Sequence, residues 1–181
     1  MNEWEILNNI LELREKQEKS TKFVGSLTTE LIRKELLRKG LNVSNRDVFI
    51  EGISNEFDLL ILRSGSKPKK NLLYNPNDVL YCLEIKFRGT YAEKGINTIK
   101  NTFNKVKNIN DKIKCIYLTI SENKKYKYRI TKEKLGNKHE CFELFTRDTS
   151  LEKALKNKIL KVTGDWDKLL ESLKTGYDGM G

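Results

Sequence analysis

The sequence has few of the residue types from which several common functional sites are built. Its 181 residues include one histidine, His139, in a lysine-rich segment. Histidine metal sites and Ser/His or Cys/His triads therefore lack their raw material. The three cysteines, Cys82, Cys115 and Cys141, are odd in number and have no Cys-x-x-Cys spacing. This argues against a disulfide framework and a zinc site, so we expect buried thiols.

The chain also lacks long apolar runs. No stretch approaches the roughly 20 apolar residues that span a bilayer, and residues 1–5 lack the basic flank and apolar segment of a secretion signal. We therefore expect a cytoplasmic protein with no membrane partner. Only two prolines are present, Pro68 and Pro76, and both fall in residues 64–78. That polar segment is predicted to be an extended surface loop.

Positive charge is plentiful and unevenly distributed. The formal net charge is +10, from 35 Lys and Arg against 25 Asp and Glu. Residues 94–139 hold 13 basic residues and three acids. A polyanionic partner, DNA or another nucleic acid, is the expectation, although lysines are often simply solvated. The candidate nucleic-acid-binding residues are two in the proline-containing loop and three mostly off the apolar face of a predicted helix: Lys69, Lys70, Lys100, Lys105 and Lys107.

Two apolar, strand-like runs each carry charged residues that need an explanation. Residues 79–87 contain Glu84 and Lys86, and residues 57–62 contain a single acid, Asp58. Residues i and i+2 of a strand point to the same face, so Glu84 and Lys86 are expected to project side by side. On adjacent strands, the three groups would place two carboxylates and an amine around one small volume. Hard divalent cations such as Mg²⁺ prefer oxygen ligands of this kind.

The spacing of these residues resembles a known signature. Asp58, followed after 26 positions by Glu84-Ile85-Lys86, is similar to the PD-(D/E)XK motif of the restriction-endonuclease-like nucleases, with Phe57 where the nominal motif has proline. The resemblance covers about residues 27–120. It implies a DNA endonuclease that uses Mg²⁺, or Mn²⁺ as a substitute, and that often acts as a homodimer. Asp58, Glu84 and the backbone carbonyl of Ile85 would hold the metal, and Lys86 would position or deprotonate the attacking water.

A glutamate on a preceding helix belongs to the same resemblance. Residues 26–37 are predicted to form a helix with Ser26 as a plausible N-cap. Many family members carry a catalytic glutamate there, and Glu30 shares the inward face of Leu27 and Leu37. The alternative is a surface glutamate paired with Lys34 one turn later. Glu56, two residues before Asp58, is an auxiliary acid or a turn cap.

The expected fold is an α/β restriction-endonuclease-like core, a mixed β-sheet flanked by helices in the order α-β-β-β-α-β. We expect one domain over residues 1–181, with the core at about 24–122 and a helix in 1–20. The remaining 123–175 form an elaboration, with a strand in 140–145 and helices in 151–162 and 166–173. The alternative function is a catalytically inactive nucleic-acid-binding or assembly subunit with the same fold.

Overall fold

The computed structural model describes residues 21–88, 93–122, 133–136, 138–147, 160–162 and 164–178. The predicted helix in residues 1–20 lies outside these ranges. The helices are α1 (Thr21–Arg38), α2 (Glu93–Ile109) and α3 (Asp165–Asp178), with a 3₁₀ helix at Pro76–Asp78. The strands are β1 (Asn42–Val43), β2 (Val48–Ile50), β3 (Glu56–Phe57), β4 (Leu59–Leu62), β5 (Leu73–Tyr74), β6 (Val79–Arg88), β7 (Lys114–Glu122), β8 (Glu140–Arg147) and β9 (Leu160–Val162).

A mixed sheet forms the centre of the described structure, as the sequence predicts. Its strand order is β1-β4-β6-β7-β8-β9. Strands β6, β7 and β8 are parallel to one another, whereas β4 runs antiparallel to β6 and β9 runs antiparallel to β8. Parallel strands need a crossover connection, and α2 provides it between β6 and β7. A smaller sheet has the order β3-β2-β5.

Each face of the main sheet packs against its own set of elements. Leu83 and Ile85 of β6 join the core formed with α1 and α3. Cys82 lies in the other core, with the small sheet and the apolar face of α2. Strands covered on both faces read as nearly continuous apolar runs, which explains the character of residues 79–87. All three cysteines are buried free thiols, which confirms the expectation.

The run predicted as one strand in residues 57–62 is divided at Asp58. Glu56–Phe57 pairs with β2 in the small sheet, and Leu59–Leu62 pairs with β6 in the main sheet. The chain therefore bends at Asp58 as it passes from one sheet to the other. A charged residue fits this junction because it lies outside both ladders.

The start of α1 differs from the prediction. The helix already includes Thr21, so Ser26 lies within it and is not its N-cap. The Ser26 hydroxyl instead contacts the guanidinium of Arg46. A serine that could cap a helix can also lie within one when a residue distant in the sequence, here Arg46, satisfies its hydroxyl.

The C-terminal elements extend the main sheet. The predicted strand in 140–145 is confirmed by β8, and the predicted helix in 166–173 is confirmed by α3. The helix predicted for 151–162 is wrong at its end, because Leu160–Val162 is a strand whose Val162 pairs with Phe145. Residues 151–159 lie outside the described structure. Among the described helices, none is long and apolar enough to cross a membrane.

Candidate active site

The register of two strands sets Asp58 opposite Glu84. Strands β4 and β6 are antiparallel, with Leu59 paired to Leu83 and Leu60 paired to Cys82. Continuing this register by one position brings Asp58 level with Glu84. Residues directly opposite each other on antiparallel strands project to the same face with their Cβ atoms about 4.5–5.5 Å apart. The two carboxylates are therefore neighbours although 26 positions separate them in the sequence.

Lys86 completes the arrangement. It lies two residues after Glu84 on β6, so its side chain leaves the sheet on the same face. Its ammonium contacts Glu84 Oε1 and lies 3.8 Å from Asp58 Oδ2. The side chains are partly open to solvent, with exposed fractions of 24% for Asp58, 17% for Glu84 and 36% for Lys86. The structure thus brings together the three residues that the motif selects.

The backbone of Ile85 holds Asp58 in place. Its N–H donates a hydrogen bond to Asp58 Oδ2, with 2.6 Å between the two atoms. The Ile85 side chain lies in the core on the opposite face of the sheet. Only the main chain of Ile85 can therefore serve the site.

Burial and the neighbouring charges shift the pKa values of these three groups. Burial raises the pKa of Asp58 above its usual range, although Lys86 and the Ile85 N–H act in the opposite direction. Burial and the nearby Asp58 raise the pKa of Glu84. Burial alone would lower the pKa of Lys86, but attraction to Glu84 and Asp58 outweighs it and raises that pKa. Two desolvated carboxylates with one ammonium leave an excess of negative charge when ionised, which a bound cation would offset.

The donor set fits a hard cation that retains water. In the described ranges, no three His, Cys, Asp or Glu residues are grouped so that they could hold a metal ion by themselves. The carboxylates of Asp58 and Glu84 are the candidate protein ligands that the structure brings together. Mg²⁺ is commonly bound through one or two carboxylates, with water and substrate phosphate in its other positions. The residues present are thus compatible with Mg²⁺.

Two further acids lie near the site, one of which the sequence analysis did not select. Asp47 follows a polar turn, has a left-handed backbone with φ of 57°, and raises the pKa of Asp58. Continuing the β2–β3 register, in which Val48 pairs with Phe57, sets Asp47 opposite Asp58. Glu56 is exposed on β3 and raises the pKa of Glu84. Nothing local to the polar turn signals the proximity of Asp47, because strand pairing alone creates it.

Glu30 has its own ionic partners. Its carboxylate lies 3.2 Å from Arg33 Nη1 and 3.7 Å from Arg46 Nε. Arg33 is held in turn, since its Nε donates to the backbone oxygen of Ser44 over 2.8 Å. Glu30 therefore links α1 to the segment between β1 and β2. In the described part of the chain, the ion pairs shown for Glu30 are with these two arginines and not with Lys34, the partner that the sequence offered as an alternative.

Three of the five selected lysines lie on α2, and the other two lie in the loop before β5. Lys105 Nζ donates to Asn55 Oδ1 over 3.0 Å, and Lys107 Nζ donates to the Asp111 carbonyl over 2.7 Å. Lys100 is exposed on the same helix, α2, and Lys70 is exposed in the loop before β5. Lys69 forms an ion pair of 2.7 Å with Glu51. All five remain candidates for contacts with an anionic partner.

A separate cavity of about 420 Å³ lies away from the three-residue centre. Arg63, Lys107 and Lys112 contribute to its walls, together with Asn77 from the 3₁₀ helix that precedes β6. Glu84 and Lys86 lie in the second half of β6. The cavity is therefore at the other end of that strand and is not the candidate active site.

The mixed sheet flanked by helices matches the fold of NucC. Among similar solved structures is the cAAA-bound form of NucC from P. aeruginosa ATCC27853. It has a TM-score of 0.63 and 11% identity, over 95% of this chain and 88% of that chain.

NucC from E. coli MS115-1 is similar in two forms. The cAAA-bound form gives a TM-score of 0.61 and 10% identity, over 95% of this chain and 87% of that one. The apo form gives 0.55 and 10%, over 95% and 89%. At such identity the likeness concerns the fold. No protein-family profile matches the sequence. No curated protein matches it either.

Proposed function

We propose that this protein is a metal-dependent nuclease that hydrolyses phosphodiester bonds in DNA, cutting as an endonuclease. The observation that carries the proposal is the meeting of Asp58, Glu84 and Lys86 at one partly open point, with Lys86 Nζ 3.8 Å from Asp58 Oδ2. The fold shared with NucC supports the same class of enzyme. Hydrolysis of a phosphodiester requires neutralised phosphate charge, a positioned water and help for the leaving oxygen.

In this proposal Asp58, Glu84 and the Ile85 carbonyl hold Mg²⁺, or Mn²⁺ in its place. When bound, the metal supplies charge neutralisation and a more acidic water. The hydrogen bond from the Ile85 N–H fixes one oxygen of Asp58, which orients the carboxylate before any metal binds. Such preorganisation lowers the cost of assembling the ligand set.

Lys86 orients the attacking water and offsets the charge of the scissile phosphate. Its raised pKa keeps the ammonium protonated near neutral pH, because Glu84 and Asp58 both attract it. A protonated amine donates hydrogen bonds and positive charge but does not accept a proton. This favours the positioning role of Lys86 over proton removal in the metal-free site.

DNA is the proposed substrate on grounds of charge. The net charge is +10, and α2, which follows the catalytic strand β6, presents an exposed Lys100 together with Lys105 and Lys107. Lys69 and Lys70 lie in the loop between the acid-bearing strands. Phosphate contacts by lysines of this kind give affinity without sequence preference.

A homodimer is part of the proposal, since two copies of the site would cut both strands of a duplex. The mass of the purified protein in solution, measured by light scattering during size exclusion, decides this point. A mass near 21.1 kDa would indicate a monomer. A mass of about twice that value is the expected result.

The test of the function uses supercoiled, linear and single-stranded DNA, each with Mg²⁺, Mn²⁺ or EDTA. We expect nicked and linear products from supercoiled DNA with either metal and none with EDTA. The variant Asp58→Asn should not cut, whereas Asp167→Asn, an exposed acid on α3, should cut as the wild type does. Salt-sensitive binding without cleavage by the wild type would reject the enzyme and favour an inactive DNA-binding subunit.

A further inference from the structure

One side of α2 carries a row of exposed asparagines. Helix positions separated by three or four residues lie on the same side, and α2 has asparagine at four positions with this spacing. All four residues are exposed: Asn97, Asn101, Asn104 and Asn108. The opposite side of the helix is buried in the core through Ile96, Ile99 and Phe103. The row therefore faces away from the sheet, and it spans about 16 Å at the rise of an α-helix.

A general excess of asparagine in the chain does not explain this row. The other two helices described, α1 and α3, contain no asparagine. Asparagine is also a weaker helix former than alanine, lysine or glutamine, so an exposed helix position favours those residues instead. Four asparagines on the outer side of one helix thus indicate a function at that surface.

Lysines border the asparagine row on both sides. In helical projection the row lies between two pairs of lysines, Lys94 and Lys105 on one side and Lys100 and Lys107 on the other. The sequence of α2 has these four lysines and one acid, whereas that of α3 has two lysines and four acids. Amides between two rows of cations complement duplex DNA, in which base edges lie between two rows of phosphates.

The candidate active site lies on the same side of the main sheet as α2. Glu84 and Lys86 project from the same face of β6 as Cys82, because every second residue of a strand shares a face. Cys82 packs in the core that contains the buried side of α2. A helix of about 10–12 Å diameter fits the major groove of DNA, which is about 12 Å wide and 8.5 Å deep. The strands that border the groove would then pass beside α2 toward the sheet, where the active site lies.

We propose that α2 enters the major groove of duplex DNA and that its asparagines read adenine. This inference rests on the nuclease function proposed above and names the feature of the DNA that the enzyme recognises. The asparagine amide oxygen accepts from the adenine N6 amino group, and the amide N–H donates to adenine N7. Guanine presents only acceptors at these positions, so it cannot match both groups. The bordering lysines contact phosphates and fix the register of the helix.

The test measures binding in EDTA, so it does not depend on cutting. Fluorescence anisotropy compares three labelled duplexes of equal length. One contains only A·T pairs, the second has 7-deazaadenine in place of adenine, and the third contains only G·C pairs. The modified base lacks the N7 acceptor but keeps its pairing and its minor-groove edge. The double variant Asn101→Ala, Asn104→Ala removes the two central amides, and thermal unfolding gives the Tm of each protein.

We expect the wild type to bind the A·T duplex about tenfold or more tightly than the other two, since one bidentate contact supplies discrimination of this size. The double variant should bind all three duplexes equally, with a Tm no lower than that of the wild type, because alanine favours the helix. Lys100→Ala, the matched change on the same helix, should weaken binding to all three by the same factor and keep the preference. Lys174→Ala, an exposed change on α3, should bind as the wild type does.

Three results would overturn the inference. Equal binding of the three duplexes by the wild type would show that α2 does not read adenine. A double variant that keeps the A·T preference would show that other residues read it. An equal loss on all three duplexes in the double variant would place the amides on phosphates. Each of these leaves the nuclease function standing, whereas the expected preference in a protein that cuts no DNA with either metal would support the reading of adenine and reject that function alone.

Discussion

The carboxylate of Asp58 accepts a hydrogen bond from the backbone N–H of Ile85, with 2.6 Å between Oδ2 and N. This bond joins the bend between the two sheets to the middle of β6, where Glu84 and Lys86 lie. The position of Asp58 is therefore set by the central strand, although Asp58 itself belongs to neither ladder. Metal affinity, pH dependence and stability should all respond to changes at this point.

Removing either acid should abolish metal binding. Asp58→Asn and Glu84→Gln each lose one of two carboxylate ligands, so we expect Mg²⁺ to raise the Tm of the wild type and to leave the Tm of both variants unchanged. Cutting should fall by at least about 100-fold. Thermal denaturation with increasing Mg²⁺ measures the first effect. A metal-dependent rise of Tm in Asp58→Asn equal to that of the wild type would contradict the ligand assignment.

Lys86→Ala should separate catalysis from metal binding. The variant lacks the ammonium that positions water but keeps both carboxylates, so Mg²⁺ should still raise its Tm while cutting is lost. Without Mg²⁺ its Tm should be lower than that of the wild type, because two neighbouring carboxylates lose their shared cation. Lys174→Ala, an exposed lysine on α3, is the control. Equal cutting rates for Lys86→Ala and the wild type would remove Lys86 from the mechanism.

Acidification should weaken metal binding at a higher pH than for ordinary carboxylates. Metal ligands must be ionised, and burial raises the pKa of Asp58 above 3.8 and that of Glu84 above 4.5. Mg²⁺ affinity should therefore begin to fall above the usual carboxyl range. Isothermal titration of Mg²⁺ at successive pH values measures how the affinity depends on pH. An affinity that falls only at or below those ordinary pKa values would show that burial does not control the site.

The same raised pKa values should make the metal-free fold less stable as the pH rises. A carboxyl whose folded pKa exceeds its unfolded pKa binds more protons in the folded state, so unfolding free energy falls between the two values. Above that window the ionised pair opposes folding. Glu84→Gln should therefore raise the Tm in EDTA at neutral pH. A lowered Tm would mean that the Glu84 contact with Lys86 outweighs the cost of burial.

Glu30→Gln should distinguish a structural role from a catalytic one. Because the carboxylate pairs with Arg33 and Arg46, we expect a lower Tm, with about 0–1 kcal/mol lost per partly exposed ion pair. The cutting rate per folded molecule should stay within about threefold of the wild type, since a loss of catalytic contact usually costs more. A large loss of kcat at unchanged Tm would place Glu30 in the catalytic machinery.

Lys100→Ala should weaken DNA binding without regard to sequence. Loss of one phosphate contact lowers the slope of log affinity against log salt by about one. Fluorescence anisotropy with a labelled duplex at several salt concentrations measures that slope. Lys174→Ala, on the helix that covers the opposite face of the sheet, should bind as the wild type does. Identical slopes for both variants would remove Lys100 from the DNA-binding surface.

Local sequence alone was enough to pair Glu84 with Lys86 on one face, because the two-residue period of a strand needs no distant contact. It was also enough to predict the apolar face of α2, where Ile96, Ile99 and Phe103 are buried at helical spacing. The prediction of a helix through residue 162 was wrong, because Leu160–Val162 pairs with β8. A short apolar run can form a helix or a strand, and the presence of a neighbouring strand decides between them.

Tertiary structure decided how the rest of the site is assembled. The bend at Asp58, its register opposite Glu84, the nearby Asp47 and the arginine partners of Glu30 all depend on residues far apart in the chain. Strand register and burial fix these relationships, and both arise only when separate segments pack together. The sequence by itself thus determined which groups are chemically competent, whereas packing determined their distances, partners and degree of ionisation.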